Sequence, residues 1–381
     1  MSTKSVHILL LEPFFTGSHR SWALGLQAHS RHRVSLLSLP GRHWKWRMHG
    51  GAVHFARQFK ALSEKPDLVL ATSMLDVAVF RGLCQQDLGN IPVALYMHES
   101  QFTYPWSERD PDVSLKRDRH YAFINFTSAL AADRVWFNSA YHQRVFLEAL
   151  PTFLDAFPDY PEKASIQEIA NKSDVLPLGL DLSKFDAHLT TASPRKGAKK
   201  NSATILWNHR WEHDKNPKAF FELLRKLKDE QVPFELIVLG KGYQEKPKAF
   251  HLAKAWFKKE LLHWGYADDF KTYAQLLGQA DLAPVTSYQD FFGGSVVEAI
   301  YCGAYPLLPN RLAYPEHLPE GRHSAHLYDH EAELFLKIKA FCQDFNGARQ
   351  RETASFVSKY DWKNLILRYD QAIEDFLDCP A

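Results

Sequence analysis

Cysteine is scarce in this chain, with four residues in all. Cys84, Cys302, Cys342 and Cys379 are scattered and form no CxxC, which disfavours a zinc site and suits free thiols in a reducing compartment. No stretch approaches the length of a membrane-spanning helix, and the first apolar run, Val6 to Leu11, is ended by Glu12 too abruptly for a signal-peptide core. A cytoplasmic protein with no membrane partner is expected. Excess charge of one sign is missing too: 46 Lys and Arg oppose 44 Asp and Glu, for a net charge of +2. A general polyanion-coating protein would be more basic, so any nucleic-acid contact must come from a local patch. No G-x-G-x-x-G follows Leu11, which disfavours a dinucleotide-binding protein, and no repeat of solenoid period is present.

What the chain has is apolar substance: 45% of 381 residues are hydrophobic, enough for two cores of ordinary size. Strand-like runs alternate with helical patterns, which predicts an α/β fold. The first half offers strands at 6–11, 34–39, 68–71, 91–97, 135–138 and 175–177, with helices near 18–30, 49–62 and 118–131. The second half offers strands at 203–207, 234–239, 282–285 and 305–308. Residues 190–202 are polar and basic and read as a linker. The expected organisation is a domain over 1–189, that linker, a domain over 203–358 and a helix within 359–381.

Two segments carry the chemistry. From Asp290 to Cys302, two acids eight positions apart, Asp290 and Glu298, enclose Gly293-Gly294-Ser295 ahead of an apolar helical run. Ser295 reads as the N-cap of that helix, whose first-turn amides suit a diphosphate. Glu298, one turn in, suits the vicinal hydroxyls of a sugar. From 203 to 217, a buried-type strand empties into a polar loop with Arg210 and Lys215, after which Pro217 opens a helix. Ligands of open α/β sheets sit beyond the carboxyl ends of the strands, where this loop would be exposed to bind phosphate. His209 and His213 flank Arg210, but no metal is expected there.

Arg-x4-Lys after a strand, followed by acid-x7-Glu, resembles the donor site of the retaining family-four glycosyltransferases. That resemblance implies the GT-B architecture, two Rossmann-like doubly wound domains facing a central cleft, with the tail helix crossing back to the N-terminal domain. It implies that Arg210 and Lys215 hold the donor diphosphate, Glu298 the ribose and Asp290 the transferred sugar. The usual pattern has Glu at both ends, so Asp290 reaches one methylene less far. Further matches narrow it: Gly17-Ser18-His19 after the first strand, Trp44-Lys45-Trp46-Arg47, Tyr96-Met-His98-Glu99, Asn208 to Asn216 and Phe291-Phe-Gly293-Gly294. Together they resemble the tRNA-queuosine mannosyltransferases, and the similarity covers nearly the whole chain.

The branch resemblance implies a substrate, GDP-mannose, and an acceptor, the cyclopentenediol of queuosine in the tRNA(Asp) anticodon. It places His98 against the donor sugar, Gly17 beside the donor, and Ser18, His19 and Glu99 on the acceptor side. Arg42, Trp44, Lys45, Trp46 and Arg47 mix cations with indoles, as a surface for unpaired bases and phosphates does. The same segment also fits a pair of indoles plugging a core. With no cofactor or metal expected, Arg210, Lys215 and the glycine-loop amides would stabilise the leaving diphosphate. A GT-B transferase with a lipid or glycan acceptor, and a non-catalytic nucleotide-binding protein, remain the alternatives, and UDP or another hexose remains open for the donor.

Overall fold

The apolar runs form strands because a strand buried on both faces of a parallel sheet needs nonpolar side chains on both. In the computed structural model, which describes residues 5–106, 112, 119–189, 202–242, 248–345 and 351–378, they assemble into two six-stranded sheets in which every pairing is parallel.

The first sheet contains β1 (His7–Phe15), β2 (Arg33–Pro40), β3 (Leu68–Thr72), β4 (Val93–Met97), β5 (Arg134–Phe137) and β6 (Ser173–Val175), ordered β2-β1-β3-β4-β5-β6. Parallel neighbours need crossovers. These are supplied by α1 (Gly17–His29), α2 (Trp44–Lys60), α3 (Val77–Leu88), α4 (Arg119–Ala131), α5 (Ala140–Leu154) and α6 (Ala164–Asn171). Leu9, Leu11, Val69, Leu95 and Phe137 pack on one face against Phe55, Phe59, Phe80 and Phe146.

The second sheet contains β7 (Ala203–Asn208), β8 (Phe234–Leu239), β9 (Leu261–Gly265), β10 (Leu282–Pro284), β11 (Tyr305–Pro309) and β12 (Leu327–Tyr328). Its order, β9-β8-β7-β10-β11-β12, is that of a dinucleotide-binding fold and reverses between β7 and β10. The flanking helices are α7 (Pro217–Asp229), α8 (Lys248–Trp256), α9 (Phe270–Gln279), α10 (Gly294–Tyr301) and α11 (Glu331–Gln343). A last helix, α12 (Trp362–Asp378), belongs to the first unit.

The division into units falls between Asp181 and Leu182 and again between Asp361 and Trp362. Phe185 explains the first boundary, since it packs with Leu206, Ile237 and Leu239 of the second unit. The expected linker falls at 190–201, outside the described residues, apart from Ser202. Cys84, Cys302 and Cys342 are buried free thiols, while Cys379 lies outside the described residues. Among the described residues no helix is long and apolar enough to cross a membrane.

Three local expectations are corrected. The helix placed at 49–62 begins at Trp44, because His43 takes a left-handed turn (φ 57°) that starts it early. The strand placed at 175–177 runs Ser173–Val175. Ser295 is not an N-cap: α10 starts at Gly294 and its cap is Gly293, whose φ of 84° turns the chain into the helix without a side-chain bond.

Candidate active site

In the second unit the sheet order reverses between β7 and β10, so the loops leaving their carboxyl ends converge at the usual ligand position. The β7 loop runs Asn208 to Asn216 and the β10 loop Val285 to Gly293. They are joined directly: the Thr286 hydroxyl lies 3.0 Å from the carbonyls of both Lys215 and Asn216. Asn216, itself left-handed (φ 52°), caps α7 by accepting from the Ala219 amide at 3.3 Å. Gly240 must be glycine here, because a Cβ would stand 2.2 Å from the His209 carbonyl oxygen.

Arg210 and Lys215, read from sequence as two exposed cations, are in different states. Arg210 is exposed and lies 3.3 Å from Glu212. Lys215 is buried. Its Nζ donates to the Gln289 carbonyl at 2.6 Å and lies 3.0 Å from both Asp214 and Asp290. Two carboxylates make that burial tolerable. Asp290 is held from both sides: Lys215 meets Oδ1 and the Tyr314 hydroxyl donates to Oδ2. Burial pushes the Asp290 carboxyl up, but Lys215, His209 and the Tyr314 hydroxyl together hold it below the ordinary range. Burial lowers His209 to about 4, so it is neutral at physiological pH.

Gly293 and Gly294 lead into α10, and a Cβ on Gly293 would stand 3.0 Å from the Tyr314 ring. Ser295 is in the first turn, and its carbonyl accepts from Asn208 Nδ2 at 2.9 Å. Glu298 follows one turn on, its Oε2 accepting from the Tyr273 hydroxyl at 2.6 Å. Burial raises its carboxyl, against the Tyr273 hydrogen bond and Lys184. Sequence reasoning missed Tyr273, Tyr314 and Asp214. Only the charge of Asp214 beside Lys215 offered a signal in advance.

In the first unit, Glu12, His19 and His98 meet at the carboxyl ends of β1 and β4. Glu12 is fully buried; its Oε1 accepts from the Phe14 amide at 2.8 Å, and its Oε2 lies 3.1 Å from His19 Nδ1. Glu12 was not singled out from sequence, though it ends the first apolar run. Burial opposes protonation of His19, but Glu12 and Glu99 raise it above the ordinary histidine value. His98 goes the other way, held neutral by burial and by His19 and His142. One ligand atom each of Glu12, His19 and His98 lies within 4.8 Å of the other two. The two imidazoles are tilted by 35° at a centroid distance of 4.2 Å. Glu12 and His19 form a hydrogen-bonded pair, and the buried His98 Nε2 has no hydrogen-bond partner among the described residues.

His98 is boxed by Trp22 and Tyr96, with ring centroids at 4.7 and 4.8 Å. Behind it, Trp22 Nε1 donates to the Tyr369 hydroxyl of α12 at 3.0 Å, and that hydroxyl lies 2.9 Å from that of Tyr96. Gly17 has a φ of 50° and open space where a Cβ would be, and Ser18 is exposed beside it. Glu99 is partly buried, its amide bonded to Ser73 Oγ and its Oε1 to Gln101 Nε2 at 3.0 Å.

The cation–indole segment is split by its helical geometry. Trp44 packs with Trp106 and Tyr121, at 6.0 and 4.9 Å between centroids. Lys45 pairs with Asp112, its Nζ lying between 5.3 and 5.9 Å from the rings of Trp44, Trp106 and Tyr121. Trp46, by contrast, is 65% exposed. Arg42 is exposed, and Arg47 is partly buried with its Nε bonded to the Pro40 carbonyl at 3.3 Å.

The chain is similar to known proteins. Residues 7–180 match the family model for the N-terminal region of tRNA-queuosine alpha-mannosyltransferases, and residues 190–344 match that for glycosyl transferases group 1. A tRNA-queuosine alpha-mannosyltransferase of Drosophila melanogaster is 32% identical over 376 residues, 97% of each chain. A GDP-mannose:cellobiosyl-diphosphopolyprenol alpha-mannosyltransferase of Xanthomonas campestris is 24% identical over 54% of this chain and 53% of its own. Among solved structures, sucrose-phosphate synthase of Thermosynechococcus elongatus matches with a TM-score of 0.67 at 15% identity, covering 98% of this chain and 99% of that one. Anabaena HepE in complex with UDP and glucose matches at 0.64 and 15%, covering 97% and 99%. The fold is GT-B.

Proposed function

The chain belongs to the tRNA-queuosine alpha-mannosyltransferase family, and from that premise we propose that it moves mannose from GDP-mannose to the cyclopentenediol of queuosine in the tRNA(Asp) anticodon, in the cytoplasm and with retention of configuration. That it is a glycosyltransferase follows from the family. The observation carrying the finer reading is the 32% identity to a relative so named over 97% of both chains, which includes the N-terminal region as well as the general sugar-transfer region.

The geometry supports a charge-based mechanism. As the glycosidic bond stretches, negative charge builds on the leaving diphosphate and the sugar becomes oxocarbenium-like. Arg210 and the first-turn amides of α10 supply the compensating positive field, and Lys215, offset by Asp214 and Asp290, anchors the loop beside them. Asp290, anchored by Lys215 and Tyr314, is a fixed carboxylate for a hydroxyl of the transferred sugar. Glu298 accepts from the ribose. An oxygen of the departing phosphate takes the acceptor proton in a front-face displacement. No step calls on a metal or cofactor. Trp46 and Arg42 are exposed and suit unpaired bases and phosphates of the anticodon arm.

The test is to incubate the protein with GDP-mannose and tRNA(Asp) with and without queuosine, then to digest and weigh the nucleosides. A hexose added only to queuosine is the expected result. Equal labelling of queuosine-free tRNA, or transfer to a polyprenyl-linked glycan instead, would overturn the reading.

A further inference from the structure

Glu298 is oriented by a residue outside the donor motif. Its Oε2 takes the 2.6 Å hydrogen bond from the Tyr273 hydroxyl, and that hydroxyl accepts from Asn208 Nδ2 at 2.9 Å. The same Asn208 nitrogen reaches the Ser295 carbonyl. One polar chain thus ties the end of β7, helix α9 and the first turns of α10. The Tyr273 ring is held in turn by Phe185 and Phe270, at 6.0 and 6.4 Å between centroids. A carboxylate on a flexible glutamate loses rotamer freedom when it binds; one already fixed at Oε2 has paid part of that cost and keeps Oε1 for a ligand.

We propose that Tyr273 is a positioning residue whose hydroxyl fixes the Glu298 carboxylate to read the ribose hydroxyls of the donor nucleotide. This rests on the reading of Glu298 as the ribose contact. The groups that act on this carboxylate are Tyr273 from α9 and Lys184 from the turn Ser183–Phe185, while Asn208 from β7 and Cys302 at the end of α10 act on the Tyr273 hydroxyl. Burial raises the Glu298 carboxyl and the Tyr273 bond opposes that rise, so losing the hydroxyl makes Glu298 protonate at higher pH.

Calorimetric titration with GDP and 2′,3′-dideoxy-GDP over a pH series separates the possibilities. Tyr273→Phe keeps the ring and should weaken GDP about tenfold, as loss of a hydrogen bond to a charged group does. It should leave dideoxy-GDP unchanged and move the acid-side fall in GDP affinity to higher pH. Equal loss of both nucleotides would make Tyr273 merely structural and overturn the proposal. Selective loss in Glu298→Gln alongside wild-type behaviour of Tyr273→Phe would overturn it too, leaving the ribose role of Glu298 intact. If neither variant distinguishes the two nucleotides, the ribose role itself falls. Should melting show Tyr273→Phe unfolded, Asn208→Ala, which removes the group that orients the hydroxyl, must show the same selective loss in smaller measure, and equal loss of both nucleotides would again count against the proposal.

Discussion

Lys215 Nζ stands 3.0 Å from Asp290 Oδ1, and each is a counter-ion of the other. Two side chains that sequence motifs assign to separate parts of a sugar nucleotide form one buried unit, so neither can be altered without consequence for the other.

Lys215→Ala should therefore destabilise the fold as well as activity. It leaves Asp214 and Asp290 close together without their cation, and breaking a buried pair in this way costs about 3–5 kcal/mol. Arg210→Ala, at an exposed position, should keep the wild-type melting temperature while turnover falls by about 10². Thermal melting beside steady-state kinetics checks the contrast. An equal effect of the two variants on melting would contradict it.

Asp290 is also an acid-sensitive support. Its folded carboxyl lies below the ordinary range, so it adds stability above its unfolded value that is lost as pH falls through the lowered one. Asp290→Asn should flatten the acid-side decline in melting temperature. A wild-type slope in the variant would show that the carboxylate contributes nothing there.

Glu298 has the opposite sign. Burial raises its folded value, so its contribution to stability is present below the unfolded value and is lost as pH rises through the raised one. At neutral pH the buried charge is a cost. Glu298→Gln should melt at or above the wild-type temperature near pH 7, with the gap closing on acidification, while GDP affinity falls. A variant that melts lower throughout would refute this.

Trp46→Ala should raise the Michaelis constant for tRNA and leave that for GDP-mannose, with no change in melting, because the indole is 65% exposed. Trp44→Ala should instead lower the melting temperature, since that ring fills the small cluster with Trp106 and Tyr121. Kinetics with each substrate in turn distinguish the two. Transfer should also weaken as salt rises.

The α/β order was legible because β3, β4 and β7 are buried along their whole length and so read as unbroken apolar runs. β9 was not, since it is only partly buried and carries His263, and β12 is two residues long. Charge spacing singled out Arg210, Lys215, Asp290 and Glu298 as candidates but said nothing of their environment. The burial of Lys215 depends on Asp290 and on the Gln289 carbonyl, which come from a loop distant in the chain. Tyr273 and Tyr314 are ordinary aromatics in sequence, and only folding places their hydroxyls on the two acids. The capping error at Ser295 arose because a positive-φ glycine can do a serine's work without leaving a side-chain signature.

The membership of α12 in the first unit sets an order of assembly during synthesis. The second unit is one continuous stretch, Leu182–Asp361, and all of it is translated before Trp362 to Asp378. Units generally fold as they emerge, yet the first-made half here must wait for the later-made helix to bring Tyr369 to Trp22 and Tyr96 and Trp362 to Gly25, where an added Cβ would meet the indole. A nascent chain halted before residue 362 would thus present the wall behind His98 uncovered, as a hydrophobic surface for chaperones to hold.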